Sequence, residues 1–303
     1  MAQRKPSRTM LGAAIFRAVH QVLDADPKIL DDPLAVGLVE GSSREEILAA
    51  PPDSLFRPPT WFRSIFVLRS RYTEDSLQEA VANGIAQYVL LGAGMDTFAY
   101  RQPSWAAKLR IFEVDHPESQ KVKREYLAKR GIAVPANVEF CPIDFERASL
   151  TEGLATSSLD HRALTFFSWL GVTQYLTKRA IDSTLQFVLS MPKRSTIIIE
   201  FILPPDSWTP EETAFLQAVP KLAAEAGEPW LTYFTPDAIS QHLIGLGFSR
   251  VSHLTPDDAA ARYFMNRQDG LRVAGLCEAP PSRRVGSDAA RPRFELCRGR
   301  GLD

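Results

Sequence analysis

The spacing of apolar residues changes period near residue 85. Before that point it is helical: Leu11, Ala14, Ile15, Ala18, Val19 and Val22 form one stripe, with Arg17 and Gln21 outside it. This predicts a helix over Leu11–Leu23. Asp31-Asp32-Pro33 reads as an N-cap followed by proline at a first helical position, and a short helix continues from Leu34 to Val39. A long helix is predicted from Trp61 to Asn83, stopped by Asn83-Gly84. From Ile85 onward strands alternate with helices. The strands read as Gln87–Leu91, Arg110–Val114, Val138–Pro142, Ala163–Ser168 and Thr196–Ile202, with helices beginning near Phe98, Pro117, Arg147–Leu150 and Lys178. Thr235 caps a further helix from Pro236 to Leu246, and Arg250–Leu254 and Leu271–Glu278 read as strands at the other sheet edge. Such alternation predicts an α/β fold whose parallel sheet is built from right-handed crossovers.

The same pattern divides the chain. Residues 1–84 are expected to be a helical segment packed on the core, and residues 85–280 the ligand-binding α/β domain. Within that domain, residues 204–234 are too long for a simple connection and carry a helical pattern from Pro210 to Ala226, which predicts a lid. Residues 281–303 hold Pro281, Pro292 and several arginines without periodicity, and are expected to be a disordered tail.

Composition narrows the partners. The 303 residues are 45% hydrophobic and carry 35 basic and 36 acidic side chains, so no global field recruits nucleic acid or an acidic membrane. A small-molecule partner is expected. Three widely spaced cysteines without a C-x-x-C pair fit a reducing cytoplasm, and no run approaches the ~20 apolar residues of a membrane span. The apolar stretch Met10–Ile15 is cut short by Arg17, which argues against a signal peptide.

The candidate chemistry lies at strand ends. Tyr88-Val89-Leu90-Leu91 stops at Gly92-Ala93-Gly94, as a buried parallel strand does when it hands the chain to a turn that a ligand can approach. A glycine turn alone fits nicotinamide, flavin and adenosyl cofactors. Two residues discriminate: Thr97 stands where the dinucleotide fingerprint wants its third glycine, and Asp96 puts an anion where a pyrophosphate wants N–H donors. S-adenosylmethionine, without phosphate and with cationic centres, tolerates that aspartate. Asp115 ends the second strand roughly twenty residues beyond Gly94, the offset at which a carboxylate accepts from both ribose hydroxyls. Asp144 and Phe145 follow the third strand, an acceptor for an adenine amino group and a ring for the purine face. Each alone reads more readily as a cap or loop carboxylate; in succession on three strand ends they make coincidence a poor explanation.

Four ordered blocks carry a resemblance: Ser70-Arg71-Tyr72-Thr73-Glu74-Asp75, Leu91-Gly92-Ala93-Gly94-Met95-Asp96-Thr97, Phe112-Glu113-Val114-Asp115-His116-Pro117, and Phe166 through Leu176. With the early Asp32-Pro33-Leu34-Ala35, they resemble the leucine carboxyl methyltransferase family, in particular its bacterial branch of small-molecule O-methyltransferases, over roughly residues 8 to 280. The resemblance implies a class I (Rossmann-like) methyltransferase with a mostly parallel seven-stranded sheet, and S-adenosyl-L-methionine as cofactor. It implies that Arg71 grips the methionine carboxylate, that Gly92, Ala93, Gly94 and Asp96 line the cofactor, that Asp115 takes the ribose, and that Asp144 with Phe145 takes the adenine. Tyr175, after the fourth strand, is implied on the substrate side. One position departs from the pattern: Leu170 replaces the glutamate usual near the methionine end, which removes a carboxylate from a site expected to hold a cation. The resulting expectation is methyl transfer to an oxygen, carboxylate or hydroxyl, of a small molecule. A protein C-terminal carboxyl methyltransferase and a cofactor-binding protein without catalysis are the alternatives.

Overall fold

The computed structural model describes residues 8–52, 54, 57–274 and 294–301, with side chains from residue 9 and not for residues 294–301. Helices α1 (Arg8–Leu23), α2 (Arg44–Ala49) and α3 (Thr60–Ala82) precede the sheet. Then come β1 (Gln87–Leu91), β2 (Arg110–Asp115), α4 (Pro117–Lys129), β3 (Val138–Pro142), α5 (Leu150–Gly153), β4 (Thr165–Trp169), α6 (Lys178–Ser190) and β5 (Thr196–Ile202). The chain continues through α7 (Pro210–Leu216), α8 (Val219–Glu225), α9 (Pro236–Leu246), β6 (Phe248–His253) and β7 (Phe294–Gly301). The strands lie in the order β3-β2-β1-β4-β5-β7-β6; β1 to β5 are parallel and β7 is antiparallel to both of its neighbours.

Both faces of the sheet are covered, which is why its central strands read as continuous apolar runs. Val89, Leu91, Phe112, Val114, Phe167 and Trp169 join α6 and α9 residues in one core. Tyr88, Leu90, Ile111, Phe166 and Ile198 face the opposite way and meet Tyr72, Leu77 and Ala80 of α3. A third core packs Ala14, Ile15, Ala18 and Val19 of α1 against Trp61, Phe62 and Ile65 of α3, with Met95 of the glycine turn and Leu216 of α7 in the same cluster.

Five expectations are corrected. The β1–β2 connection holds only two 3-10 turns, Phe98–Tyr100 and Ser104–Ala106, because Pro103 between them cannot continue a helix. The lid helix is broken into α7 and α8, with Pro220 in the first turn of α8. Leu271–Ala274 is not a strand: Leu271 packs on Ile29, Leu30 and Val67, and Val273 joins the α3 side of the sheet core, so their alternation serves packing. The rest of that predicted strand, residues 275–278, lies outside the described residues. The strand comes instead from the expected tail, as β7. Inserted between two partners, it gains backbone hydrogen bonds on both edges and needs little hydrophobic signature.

The fifth concerns Asp32, expected to cap a helix. It precedes the 3-10 turn Pro33–Ala35 without a side-chain cap bond. Its fully buried carboxylate instead accepts from Arg17 Nε at 3.0 Å and Thr97 Oγ1 at 2.7 Å, and pairs with Arg101 at 3.3 Å. Arg17 Nη2 also donates to the Met95 carbonyl, and Arg101 forms a bidentate pair with Glu74 of α3. One carboxylate thereby ties α1, α3 and the glycine turn together. Removing one partner of such a buried network leaves charge uncompensated, at a cost of ~3–5 kcal/mol. Asp32→Ala is therefore expected to lower the urea midpoint by that amount of stability, while Asp31→Ala, at an exposed position, should shift it by no more than about 0.5 kcal/mol.

Candidate functional site

The glycine turn follows β1 because its backbone must rise over the sheet end. Gly92 has φ of 70° and Gly94 of 45°. The amides of Gly92 and Ala93 both donate to the Val114 carbonyl, which binds the turn to the end of β2. A Cβ at Gly92 would stand 2.3 Å from Val172 Cγ2, so no larger residue fits under the loop after β4. Met10 of α1 covers Gly94 in the same way, its Cγ 3.1 Å from where a Cβ would be.

Asp115 stands beside this turn. Its Oδ2 accepts from the Gly94 amide at 2.5 Å and its Oδ1 from the His116 amide at 2.6 Å. Two bonds leave acceptor capacity on both oxygens, which fits a ribose diol. Burial pushes the Asp115 carboxyl above its ordinary value, and the two amides, with Lys123 and His116 nearby, pull the other way. The next strand end brings Asp144 alongside through the Ile143 amide, which donates to the Asp115 carbonyl at 2.8 Å. Asp144 Oδ1 closes its own turn on the Glu146 amide, and Oδ2 lies 3.7 Å from His116 Nε2. His116 Nδ1 accepts from the Glu118 amide as the cap of α4, which places the ring between the two strand ends. The Phe145 ring lies 6.3 Å from that of Trp169. Asp115, Asp144 and Phe145 thus come together as expected, and the donor and acceptor set fits an adenosyl group.

Asp96 and Arg71 do not join them in the same way. Asp96 Oδ1 accepts from the Phe98 amide at 2.8 Å, and its charge adds to the burial that raises the Tyr88 and Glu74 groups, which places it on the α3 side of the turn. Arg71 donates to Asp75 at 2.8 Å and to the Ile29 carbonyl at 3.2 Å, with 42% of its side chain exposed.

The arginine that reaches the strand ends is Arg69. Its guanidinium lies over Gly171, where a Cβ would stand 2.9 Å from Nη1, and the φ of 70° at Gly171 favours glycine there. Arg69 Nη1 donates to Glu200 Oε2 at 2.8 Å; among the described residues its Nε and Nη2 make no hydrogen bond. Glu200 is buried within β5, one residue past its last pairing with β4. Its Oε1 makes no bond of ordinary geometry, although the Gly171 amide is close enough to draw the carboxylate toward its charged form against burial, which raises its pKa. The last paired positions of β4 and β5 are Trp169 and Ile199, so Leu170 and Glu200 follow at the same level. Leu170 packs into the apolar face that includes Tyr88 and Ile198. The carboxylate missing at Leu170 thus has a counterpart one strand over. Neither Arg69 nor Glu200 was legible from the sequence, since only their meeting at Gly171 marks them.

Tyr175 lies at the mouth. Burial pushes its phenol up, and its hydroxyl is within reach of Thr9, Trp230 and Gln174. The 204–234 insertion is bonded to this loop: the Leu231 and Thr232 amides donate to the Gln174 carbonyl at 2.6 and 3.2 Å, and Thr232 Oγ1 to that of Leu176. Of the lid aromatics, Trp208 donates to the Leu203 carbonyl and Phe215 packs on Trp61 and Phe62, so both are used in packing. Among the described residues there is no group of His, Cys, Asp and Glu suited to a metal and no helix long and apolar enough to cross a membrane.

Comparison with known proteins agrees with this layout. The crystal structure of a methyltransferase, so assigned, from Thermobifida fusca YX superposes with a TM-score of 0.54 at 15% identity, covering 99% of this chain and 96% of that one. A DUF574 family protein from Streptomyces avermitilis MA-4680 gives 0.54 at 11% identity, over 95% and 97%. These likenesses show the fold. In sequence, a Bacillus subtilis (strain 168) protein provisionally named S-adenosyl-L-methionine-dependent methyltransferase YktD is 30% identical over 303 residues, 89% of this chain and 95% of its own length. A similarly named Mycobacterium avium (strain 104) protein is 28% identical over 279 residues, 88% of this chain and 92% of its own length. The family profile described as leucine carboxyl methyltransferase matches residues 10–189, more than half the chain. With the class I strand order and the ordered strand-end residues on the same chain, the protein belongs to the leucine carboxyl methyltransferase family.

Proposed function

We propose that this protein transfers a methyl group from S-adenosyl-L-methionine to a carboxylate oxygen of a small molecule. Methyltransfer dependent on that cofactor follows from the family and from the names of its relatives. The observation that carries the cofactor assignment in this chain is Asp115, held by the Gly94 amide with acceptor capacity to spare, beside Asp144 on the next strand end. Asp115 would hold the ribose, Asp144 and Phe145 the adenine, and Arg69 the methionine carboxylate, while Glu200 offers its free oxygen to the ammonium. When bound, the cofactor supplies a methyl group made electrophilic by its sulfonium.

The protein's own part is positioning, with reacting atoms about 3 to 3.5 Å apart. A carboxylate, with a pKa near ~4, is ionised at neutral pH and needs no base. The titratable groups around the mouth suit that acceptor. The Tyr175 phenol is held protonated by burial, so it donates a hydrogen bond and takes no proton. His116 Nδ1 is taken by the Glu118 amide, and Glu228 is bonded to Thr9. A small acceptor is favoured over a chain terminus because the lid backbone is bonded directly onto the loop after β4.

Three outcomes test the reading. In thermal melts, S-adenosylmethionine at 100 times its dissociation constant should stabilise the protein by about 2.7 kcal/mol and NAD by nothing, with Asp115→Ala abolishing the shift; equal shifts from the two ligands would remove the cofactor assignment. Arg69→Ala should weaken cofactor binding by ~1.5–3 kcal/mol, the worth of a hydrogen bond to a charged group, and Arg71→Ala should leave calorimetric affinity unchanged. If instead the Arg71 variant alone loses affinity, the carboxylate grip belongs to Arg71. Finally, because the folded Asp115 carboxyl is raised above its ordinary 3.8, protonation favours the empty folded protein, and its contribution to stability is lost as pH rises through the raised value. Ribose binding needs the ionised form. Cofactor affinity should therefore fall on acidification at a pH above 3.8, and the fall should be absent in Asp115→Asn.

A further inference from the structure

The first turn of α1 is occupied by a carboxylate from the lid. Glu228 Oε2 accepts from Thr9 Oγ1 at 3.0 Å and from the Thr9 amide at 3.4 Å, in the first turn of a 16-residue helix whose dipole favours an anion. This turn lies over the reaction site, since the next residue, Met10, covers Gly94 and the Tyr175 hydroxyl reaches Thr9. Two further groups lie against the Tyr175 hydroxyl with unused capacity. Gln174 is 5% exposed, and its Oε1, in a side chain lying against the Tyr175 hydroxyl, makes no hydrogen bond. Trp230 Nε1 is also buried there without a bond of ordinary geometry. A buried acceptor left unpaired costs free energy unless a ligand donor meets it.

Resting on the methyltransferase reading above, we propose that Glu228 holds the place of the acceptor's carboxylate. The acceptor is a small carboxylic acid with a hydrogen-bond donor, such as an amide N–H, near its carboxylate. The carboxylate takes the donors of Thr9, Tyr175 and Trp230, and the neighbouring N–H meets Gln174 Oε1. Two carboxylates cannot share these donors without repulsion, so Glu228 leaves as the acceptor enters. The lid reports an empty acceptor site with its own anion and yields it to the substrate's.

Hippurate, which has both groups, is the probe, and its neutral amide hippuramide is the control. Calorimetric titration of the full chain should show hippurate binding about tenfold more tightly to Glu228→Gln than to the wild type, because a charge-assisted competitor is weakened. Hippuramide should gain nothing from that substitution, and Tyr175→Phe should weaken hippurate by several fold. Glu228→Ala, which cannot mimic the carboxylate's shape, should repeat the gain. Equal hippurate affinity in wild type and both Glu228 variants, or an equal gain for hippuramide, overturns the proposal. S-adenosylhomocysteine titrated in parallel should bind all variants alike; its failure to bind the wild type would sink the cofactor reading while the hippurate series still decides this one.

Discussion

The cleft depends on a single buried carboxylate. Asp32 receives Arg17 from α1 and Thr97 from the glycine turn, and Arg101 carries the connection to Glu74 on α3. Burying ions gives little net stability, because desolvation offsets most of the attraction, but the hydrogen-bond directions are restrictive. Here they set where α1 crosses the sheet. Met10 over Gly94 and Thr9 beside Tyr175 both follow from the position of α1, so the places proposed for cofactor and acceptor share one anchor. The apolar contacts of α1 with α3 allow many small slides; the Arg17 bond to the Met95 carbonyl does not.

Much of this was legible because the physics was local. A buried parallel strand writes itself as an apolar run, and a glycine turn with Asp115 and Asp144 at the following strand ends is a spacing that survives without coordinates. What was not legible was directional. Arg69 and Arg71 are two residues apart on α3, and at about 100° per residue they point to nearly opposite sides. The block Ser70–Asp75 holds Arg71 and stops one residue short of Arg69, and sequence alone cannot say which of the two faces the sheet end. Asp32 looked like a cap because aspartate before proline has a local explanation, and its three partners, Arg17, Thr97 and Arg101, 15, 65 and 69 positions away, leave no local trace. β7 was hidden for a related reason: a strand paired on both edges rests on backbone bonds, which any sequence can make.

Leu170 shows how a site keeps its charge while changing its residues. A leucine at the end of β4 joins the apolar face with Tyr88 and Ile198, which lets the sheet close there. Glu200, one strand away at the same level, supplies an anion, and Arg69 partly neutralises it. A methionine group carries one carboxylate and one ammonium, and the Arg69–Glu200 pair presents one cation and one anion with unused hydrogen-bond capacity on each. Such a pair matches a zwitterion better than a lone glutamate, because each partner already compensates the other before the ligand arrives.

The same logic explains why Asp115 tolerates its burial. Desolvation alone would neutralise the carboxyl, yet the Gly94 and His116 amides are aimed at its two oxygens before any ligand binds. These amides belong to a turn fixed by the Val114 carbonyl and to the start of α4, so they do not reorganise when the carboxylate takes up new donors. The free energy spent in holding an anion there is met in part by backbone dipoles in the folded protein, and the hydroxyls of the proposed ribose would supply the remaining donors. A preorganised acceptor of this kind discriminates sharply, because a ligand without the paired hydroxyls would bury Asp115 with its remaining lone pairs empty.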